Sequence, residues 1–344
     1  MTVQAAIARA VIGDDLSVAE AEAAMGTIMA GNATDAQIGG LLVALRMKGE
    51  AVDEIAGFAR AMRRGAIRVP TDARPLVDLC GTGGDGRNTF NISTTAAFVV
   101  AGAGLPVAKH GNRSVSSQCG SADVLEALGV RLDLSPGDVG RCIDEVGIGF
   151  LYAPALHPAM SHALGPRREM GVRTVFNLLG PLTNPAAAGV QLLGVFDPAL
   201  TEPLAEVLRS LGSRSALVVH GGGGLDELST LGPNRISRLS DGAVHTTTLD
   251  PTSLGLPPSR LAGLAGGSTT ENARILRDVL EGQPGPKRDI VLLNAAAALV
   301  AAERTADLAE GLSIAAEAID SGRARERLDA LVARTQRSGG SDDS

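Results

Sequence analysis

PLVDLCGTGGDGRNTFNISTTAAFVVAGAGLPVAKHG, residues 75–111, contains a complete strand–helix–strand unit. PLVDLC is an apolar run of strand length, STTAAFVVAGAG stays apolar for the length of a helix, and LPVAKHG is a second strand run. The same alternation continues downstream. SADVLEALG (121–129) and PLAEVLRSLG (203–212) have helical texture, whereas IGFLYA (148–153), VQLLGVF (190–196) and SALVVHG (215–221) are short apolar runs. Strands alternating with helices predict an α/β fold with a mostly parallel central sheet flanked by helices.

Upstream the texture changes. Ser17 is placed to cap VAEAEAAMGTIMAG, Thr34 or Asp35 to cap AQIGGLLVALRMKG, and VDEIAGFARAMRRGA follows. Their apolar residues recur three and four apart, as one-sided helices require. The pattern breaks between Arg68 and Pro75. The expected organisation is a small all-helical domain over residues 1–70 and a larger α/β domain formed by 75–156 and 186–337. HPAMSHALGPRREMGVRTVFNLLGPLTNP (157–185) fits the alternation poorly and looks helical, so it is expected to complete the helical domain. Two or three helices from Asp289 to Arg337 close the chain, and SGGSDDS (338–344) reads as a disordered tail.

Composition removes several function classes. With 344 residues and an apolar fraction of 44%, the chain can bury a sizeable core. It has no Trp and a single Tyr, so base-stacking platforms for single-stranded nucleic acid are disfavoured. A formal charge of −7 also argues against a general polyanion binder. Cys80, Cys119 and Cys142 are odd in number and lack metal-ligand spacing, so neither a disulfide framework nor a zinc site is expected. No apolar run reaches the roughly 18 residues of a membrane span, and the N-terminus lacks a secretory core. These features predict a cytoplasmic protein.

Four segments carry chemistry. DLCGTGGDGRNTFNIST (78–94) ends a strand in a glycine-rich turn and starts a helix near Ser93; backbone amides and a helix N-terminus are an anion cradle. It is not a Walker loop, so the standard nucleotide reading loses support. KHGNRSVSS (109–117) gathers Lys, His and Arg and three serines after a strand. In open parallel sheets ligands sit at the carboxyl ends of strands, where both loops fall. HGGGGLDELSTLG (220–232) presents Asp226 and Glu227, adjacent carboxylates suited to a hard cation bridging to phosphate. GPRREMGVRTVFN (165–177) brings Arg167, Arg168 and Arg173, whose forks read carboxylates or phosphates. His157, His162, His220 and His245 read as structural, and Cys119 as a small packing residue.

Together, Asp78–Thr94, Lys109–Gly129, Arg167–Pro185 and Leu225–Leu228 resemble, in order and spacing, the signature segments of the anthranilate phosphoribosyltransferase family. The similarity covers nearly the whole chain. It implies a helical domain plus an α/β domain of the nucleoside phosphorylase–phosphoribosyltransferase type, assembled as a homodimer. It also implies transfer of the phosphoribosyl group of PRPP (phosphoribosyl pyrophosphate) to the amine of anthranilate, a step of tryptophan biosynthesis. PRPP would be held by Gly81, Gly84, Asp85, Thr89, Asn91, Ile92, Ser93, Thr94, Lys109, His110, Gly111, Asn112, Arg113, Ser114, Val115, Ser116, Ser117 and Ser121. Anthranilate would meet Gly81, Asn112 and Arg167. Two Mg²⁺ per subunit would use Ser93 with Glu227, and Asp226 with Glu227. The family often reads PVRRELG where this chain has GPRREMG; the register places Arg167, rather than Arg168, at the anthranilate position.

Displacing pyrophosphate from C1 of the ribose builds negative charge on the leaving group, which Mg²⁺, backbone amides and Lys109 would stabilise. Anthranilate's amine is already nucleophilic, so no strong base is required; His110 is the candidate for removing its proton. Two other readings differ in class. A pyrimidine-nucleoside phosphorylase has similar loops but is longer and binds no pyrophosphate through Mg²⁺. A non-catalytic nucleic-acid-binding paralogue conflicts with the acidic charge and the Asp226–Glu227 pair.

Overall fold

The computed structural model describes residues 1–114 and 118–337. Val115, Ser116 and Ser117, expected at the PRPP site, and the expected tail 338–344 lie outside the described residues. The N-terminal texture becomes four helices, α1 (Val3–Val11), α2 (Val18–Met29), α3 (Asp35–Lys48) and α4 (Val52–Gly65). Helix α1 adds to the three expected, capped by Thr2. Ser17 and Thr34 close capping boxes with Glu20 and Gln37, so Thr34 rather than Asp35 starts α3. Glu54 of α4 is fully buried and ties the bundle together, accepting from Leu16 N at 2.9 Å, Ala51 N at 2.8 Å and Lys48 Nζ at 3.0 Å.

The next elements are β1 (Val77–Gly81), α5 (Ile92–Gly102), β2 (Val107–Gly111), α6 (Ser121–Ala127), α7 (Pro136–Val146) and β3 (Ile148–Tyr152). Three helices follow, α8 (Ala153–Leu156), α9 (Ser161–Met170) and α10 (Phe176–Leu179), before β4 (Val190–Gly194), α11 (Thr201–Ser210) and β5 (Ser215–His220). A hairpin of β6 (Asn234–Ser240) and β7 (Ala243–Leu249) leads to α12 (Thr269–Leu280), α13 (Pro286–Ala301), α14 (Leu308–Asp320) and α15 (Arg323–Arg337). The sheet order is β3-β2-β1-β4-β5-β6-β7, with β1 to β5 parallel. The fold is therefore α/β with a mostly parallel sheet. The antiparallel β6–β7 edge is the departure: Asp241 and Gly242 both take positive φ (51° and 74°), the conformation of a tight Asp-Gly hairpin turn.

One face of the sheet is covered by α5 and α13, whose alanines allow close packing; Ala295, Ala296, Ala297 and Ala298 are all buried. A Cβ on Gly311 of α14 would stand 3.0 Å from Ala296, so α14 approaches α13 almost backbone to backbone. On the other face Leu193 of β4, Val218 of β5 and Leu204 of α11 share one core with Phe58 of α4, Ala163 of α9 and Leu179 of α10. Helix α9 packs on α2 and α3. Helices α9 and α10 thus pack on the N-terminal helices, and the bundle is seated on the β4–β5 side of the sheet. No helix among the described residues is long and apolar enough to cross a membrane.

Candidate active site

Strand order reverses at β1: the chain builds outward through β2 and β3, then returns to place β4 on the opposite side. A crevice opens beyond the carboxyl ends of strands at such a point. The glycine-rich loop leaves β1 there. Gly83 and Gly84 take φ of +68° and +80°, a left-handed backbone that side chains resist. Such turns aim amides at a common point. The far end of the loop is anchored by Phe90 N to Leu264 O at 3.1 Å, and by Gly266 N to Asn88 O at 3.0 Å. Asn91 precedes α5 and donates through Nδ2 to Cys119 O at 3.0 Å, while its buried Oδ1 has no partner among the described residues.

Asp226 and Glu227 fold back over this loop. Gly83 N donates to Asp226 Oδ2 at 2.7 Å, and Ser93 N to Glu227 Oε1 at 3.2 Å. A Cβ on Gly81 would overlap the Asp226 carboxylate, and one on Gly194 the Asp226 carbonyl, so glycine at both strand ends admits the acidic pair. Burial, and then the charge of Asp85, raise the Asp226 pKa; burial, and then the charge of Asp226, raise that of Glu227. The Lys109 charge opposes the second shift. Neighbouring carboxylates crowded in this way gain from a cation. Among the described residues no cluster of three or more metal-ligating side chains forms. Two carboxylates and a hydroxyl without a full cage suit a hard cation that takes its other oxygens from water and phosphate.

The sequence puts Lys109 and His110 both at the end of the LPVAKHG strand run and at the start of the basic KHGNRSVSS segment; the structure places both within β2 and buries both side chains. The reason is register: apolar Val107 and Ala108 begin a strand whose pairing with β3 continues to Gly111. Lys109 Nζ donates to Leu79 O at 2.6 Å, beneath the glycine-rich loop. Burial, and then the His157 and Lys109 charges, hold the His110 pKa down to about 3, and its Nε2 has no partner among the described residues. Arg113 points outward, pairing with Asp123 at 3.0 Å and Glu126 at 2.8 Å. Asn112 turns the loop, its Oδ1 accepting from Arg113 N at 2.7 Å and its carbonyl from Ser121 Oγ at 3.2 Å.

Two supporting acids are absent from the residues that sequence singles out. Asp78, the second residue of the buried β1, accepts from His110 N at 3.1 Å and Asn184 Nδ2 at 2.8 Å. Asp123 accepts from Ser114 N at 3.0 Å and Gly120 N at 2.8 Å, and so holds the loop after β2. Asp78 carries a signal, an acid inside an apolar strand run. Asp123 carries none, since an acid in the first turn of a helix is ordinary.

The segment 157–185 closes the crevice from the bundle side. His157 lies 5.2 Å from His110, ring centroid to centroid, and burial holds its pKa down to about 4. Arg167 is half-buried with its guanidinium 5.0 Å from the Phe176 ring centroid, and burial lowers its pKa. Arg168 is exposed. Arg173, between α9 and α10, stacks 4.4 Å from the Phe196 ring centroid, beside Gly84.

Comparison with known proteins gives the family and the fold. Residues 4–66 match the glycosyl transferase family helical bundle domain, and residues 73–325 the glycosyl transferase family a/b domain. The chain is 61% identical over 330 residues to the anthranilate phosphoribosyltransferase of Moorella thermoacetica, covering 96% of this chain and 97% of that one. The crystal structure of the enzyme of that name from Thermus thermophilus superposes with a TM-score of 0.92 at 48% identity, covering 96% of this chain and 99% of that one. That from Saccharomyces cerevisiae, in complex with PRPP and Mg, superposes with a TM-score of 0.88 at 29% identity over 97% and 98% of the two chains. The chain belongs to the anthranilate phosphoribosyltransferase family.

Proposed function

We propose that the chain transfers the phosphoribosyl group of PRPP to the amine of anthranilate, releasing pyrophosphate. The observation that carries this is the acidic pair: Asp226 and Glu227 are bonded to amides of the glycine-rich loop and of the α5 start. Ser93, Asp226 and Glu227 would hold two Mg²⁺ per subunit, Ser93 with Glu227 for one and Asp226 with Glu227 for the other, and bound Mg²⁺ would supply positive charge to the leaving pyrophosphate. The loops after β1 and β2 hold PRPP through Gly81, Gly84, Asp85, Thr89, Asn91–Thr94, the 109–117 run and Ser121. The unpartnered Asn91 Oδ1 is a ready acceptor for a hydroxyl of the sugar. Lys109 acts from below as a buried countercharge. Neutral His110, Asn112 and Gly81 line the acceptor side, and Arg167 takes the anthranilate carboxylate. With its pKa so low, His110 serves to orient rather than to store a proton.

Residues 1–70 with 157–185 form the helical domain, and 75–156 with 186–337 the α/β domain. A cytoplasmic homodimer is part of the proposal. Val43 and Met47, one turn apart on α3, are exposed, as are Val11 and Ile12 at the end of the neighbouring α1, apolar residues that a second copy would cover. The test is anthranilate fluorescence. Its loss must require PRPP and Mg²⁺ together, with pyrophosphate released in equal amount. Turnover of nucleoside with phosphate instead would establish the phosphorylase reading.

A further inference from the structure

Arg173 is exposed, and no carboxylate pairs with it among the described residues, yet its position is closely defined. It leaves the α9–α10 connection and lays its guanidinium over Phe196, just beyond the carboxyl end of β4, at 4.4 Å from the ring centroid. Its edge meets the glycine-rich loop. A Cβ on Gly84 would stand 2.6 Å from Arg173 Cζ and closer still to Nη2, so the absence of a side chain at residue 84 leaves room for the guanidinium as well as for the turn. A guanidinium donates hydrogen bonds in its own plane. With its Cζ over the Phe196 ring and its Nη atoms against Gly84, the fork lies beside the loop whose Gly83 amide holds Asp226.

We propose that Arg173 is a further PRPP-binding residue, whose fork takes a phosphate oxygen at the glycine-rich loop and which Phe196 pre-orients. This rests on the phosphoribosyl-transfer reading and adds to it a cation delivered from the bundle side of the crevice. A guanidinium already stacked loses less freedom on binding than a solvated one. The acceptor arginine, Arg167, lies over a different ring, Phe176, so Arg167 and Arg173 divide the substrates between them.

PRPP titrated calorimetrically with Mg²⁺ into the full chain tests this. Arg173→Gln is expected to weaken PRPP binding about tenfold and to leave the KM for anthranilate within about twofold. Arg173→Lys should recover only part of the loss, because a lysine has no planar fork. Phe196→Leu should weaken PRPP less than Arg173→Gln in the wild-type background and add nothing in the Arg173→Gln background. Equal PRPP affinity for wild type and Arg173→Gln, with thermal stability unchanged, would overturn the assignment, as would a rise confined to the anthranilate KM. Wild-type protein that binds no PRPP at all would instead sink the underlying reading.

Discussion

The two sides of the crevice are made of different materials. The donor side is backbone: glycines at 81, 83, 84 and 194, the start of α5 and an acidic pair bonded to loop amides. The acceptor side is side-chain packing between sequence-distant parts, with the His110 ring against His157, Asn184 bonded to Asp78, and Arg167 against Phe176. On the proposed reading a polyanion would be met by many fixed dipoles and a small aromatic acid by a few shaped contacts. Damage to the donor side should therefore abolish turnover, and damage to the acceptor side should retune it.

The largest effect is expected at the metal pair. Glu227→Ala should lower kcat/KM by about a hundredfold or more, the scale of a lost electrostatic element. Asp226→Ala should do less, since Glu227 would touch both ions, and EDTA should silence the wild type reversibly. Full activity in the double alanine variant would remove the metal from the account. Next comes the acceptor arginine. Arg167→Ala should raise the anthranilate KM by about tenfold or more, for a lost charged hydrogen bond of about 1.5–3 kcal/mol. Exposed Arg168→Ala should be mild; a swap of the two phenotypes would move the register by one.

This contrast also explains what is legible in sequence. The glycine run, the helix start after it and the Asp-Glu pair are local signals, because backbone conformation restricts residue type there. The alternation predicts the five parallel strands. The β6–β7 edge escapes it although Asp241-Gly242 marks a hairpin turn, because β-branched and polar residues on its outer face hide the strand period. The burial of Lys109 and His110 is not legible. It depends on β3 pairing with β2 and on 157–185 lying across them, contacts that no local pattern encodes.

Acidification reports on the acceptor side. His110 and His157 have folded pKa values of about 3 and about 4, below the roughly 6.5 of an unfolded histidine. As pH falls through about 6.5 the unfolded chain takes protons that the fold refuses, so stability is fully present above that pH and is lost towards pH 4. The slope is about 1.4 kcal/mol per pH unit for each histidine. Asp226 and Glu227, with raised pKa values, work in the opposite sense, so the comparison must be between wild type and His110→Gln. Denaturant unfolding of the variant should lose less stability between pH 6 and 4.5; identical slopes would contradict a buried neutral His110.

The smallest effect is expected at Arg113. Its guanidinium is committed to Asp123 and Glu126 at an exposed position, where such pairs contribute about 0–1 kcal/mol. Arg113→Ala should change PRPP affinity by less than about threefold, leaving the backbone of the loop as the binding element. A tenfold loss would show that Arg113 turns inward when PRPP arrives.

The division of labour is tested most directly by titrating PRPP with Mg²⁺ into wild type, Glu227→Ala and Arg167→Ala by calorimetry. The expected result is PRPP affinity at least about tenfold weaker in Glu227→Ala and unchanged in Arg167→Ala. Equal losses in the two variants, or a loss in Arg167→Ala alone, would contradict it.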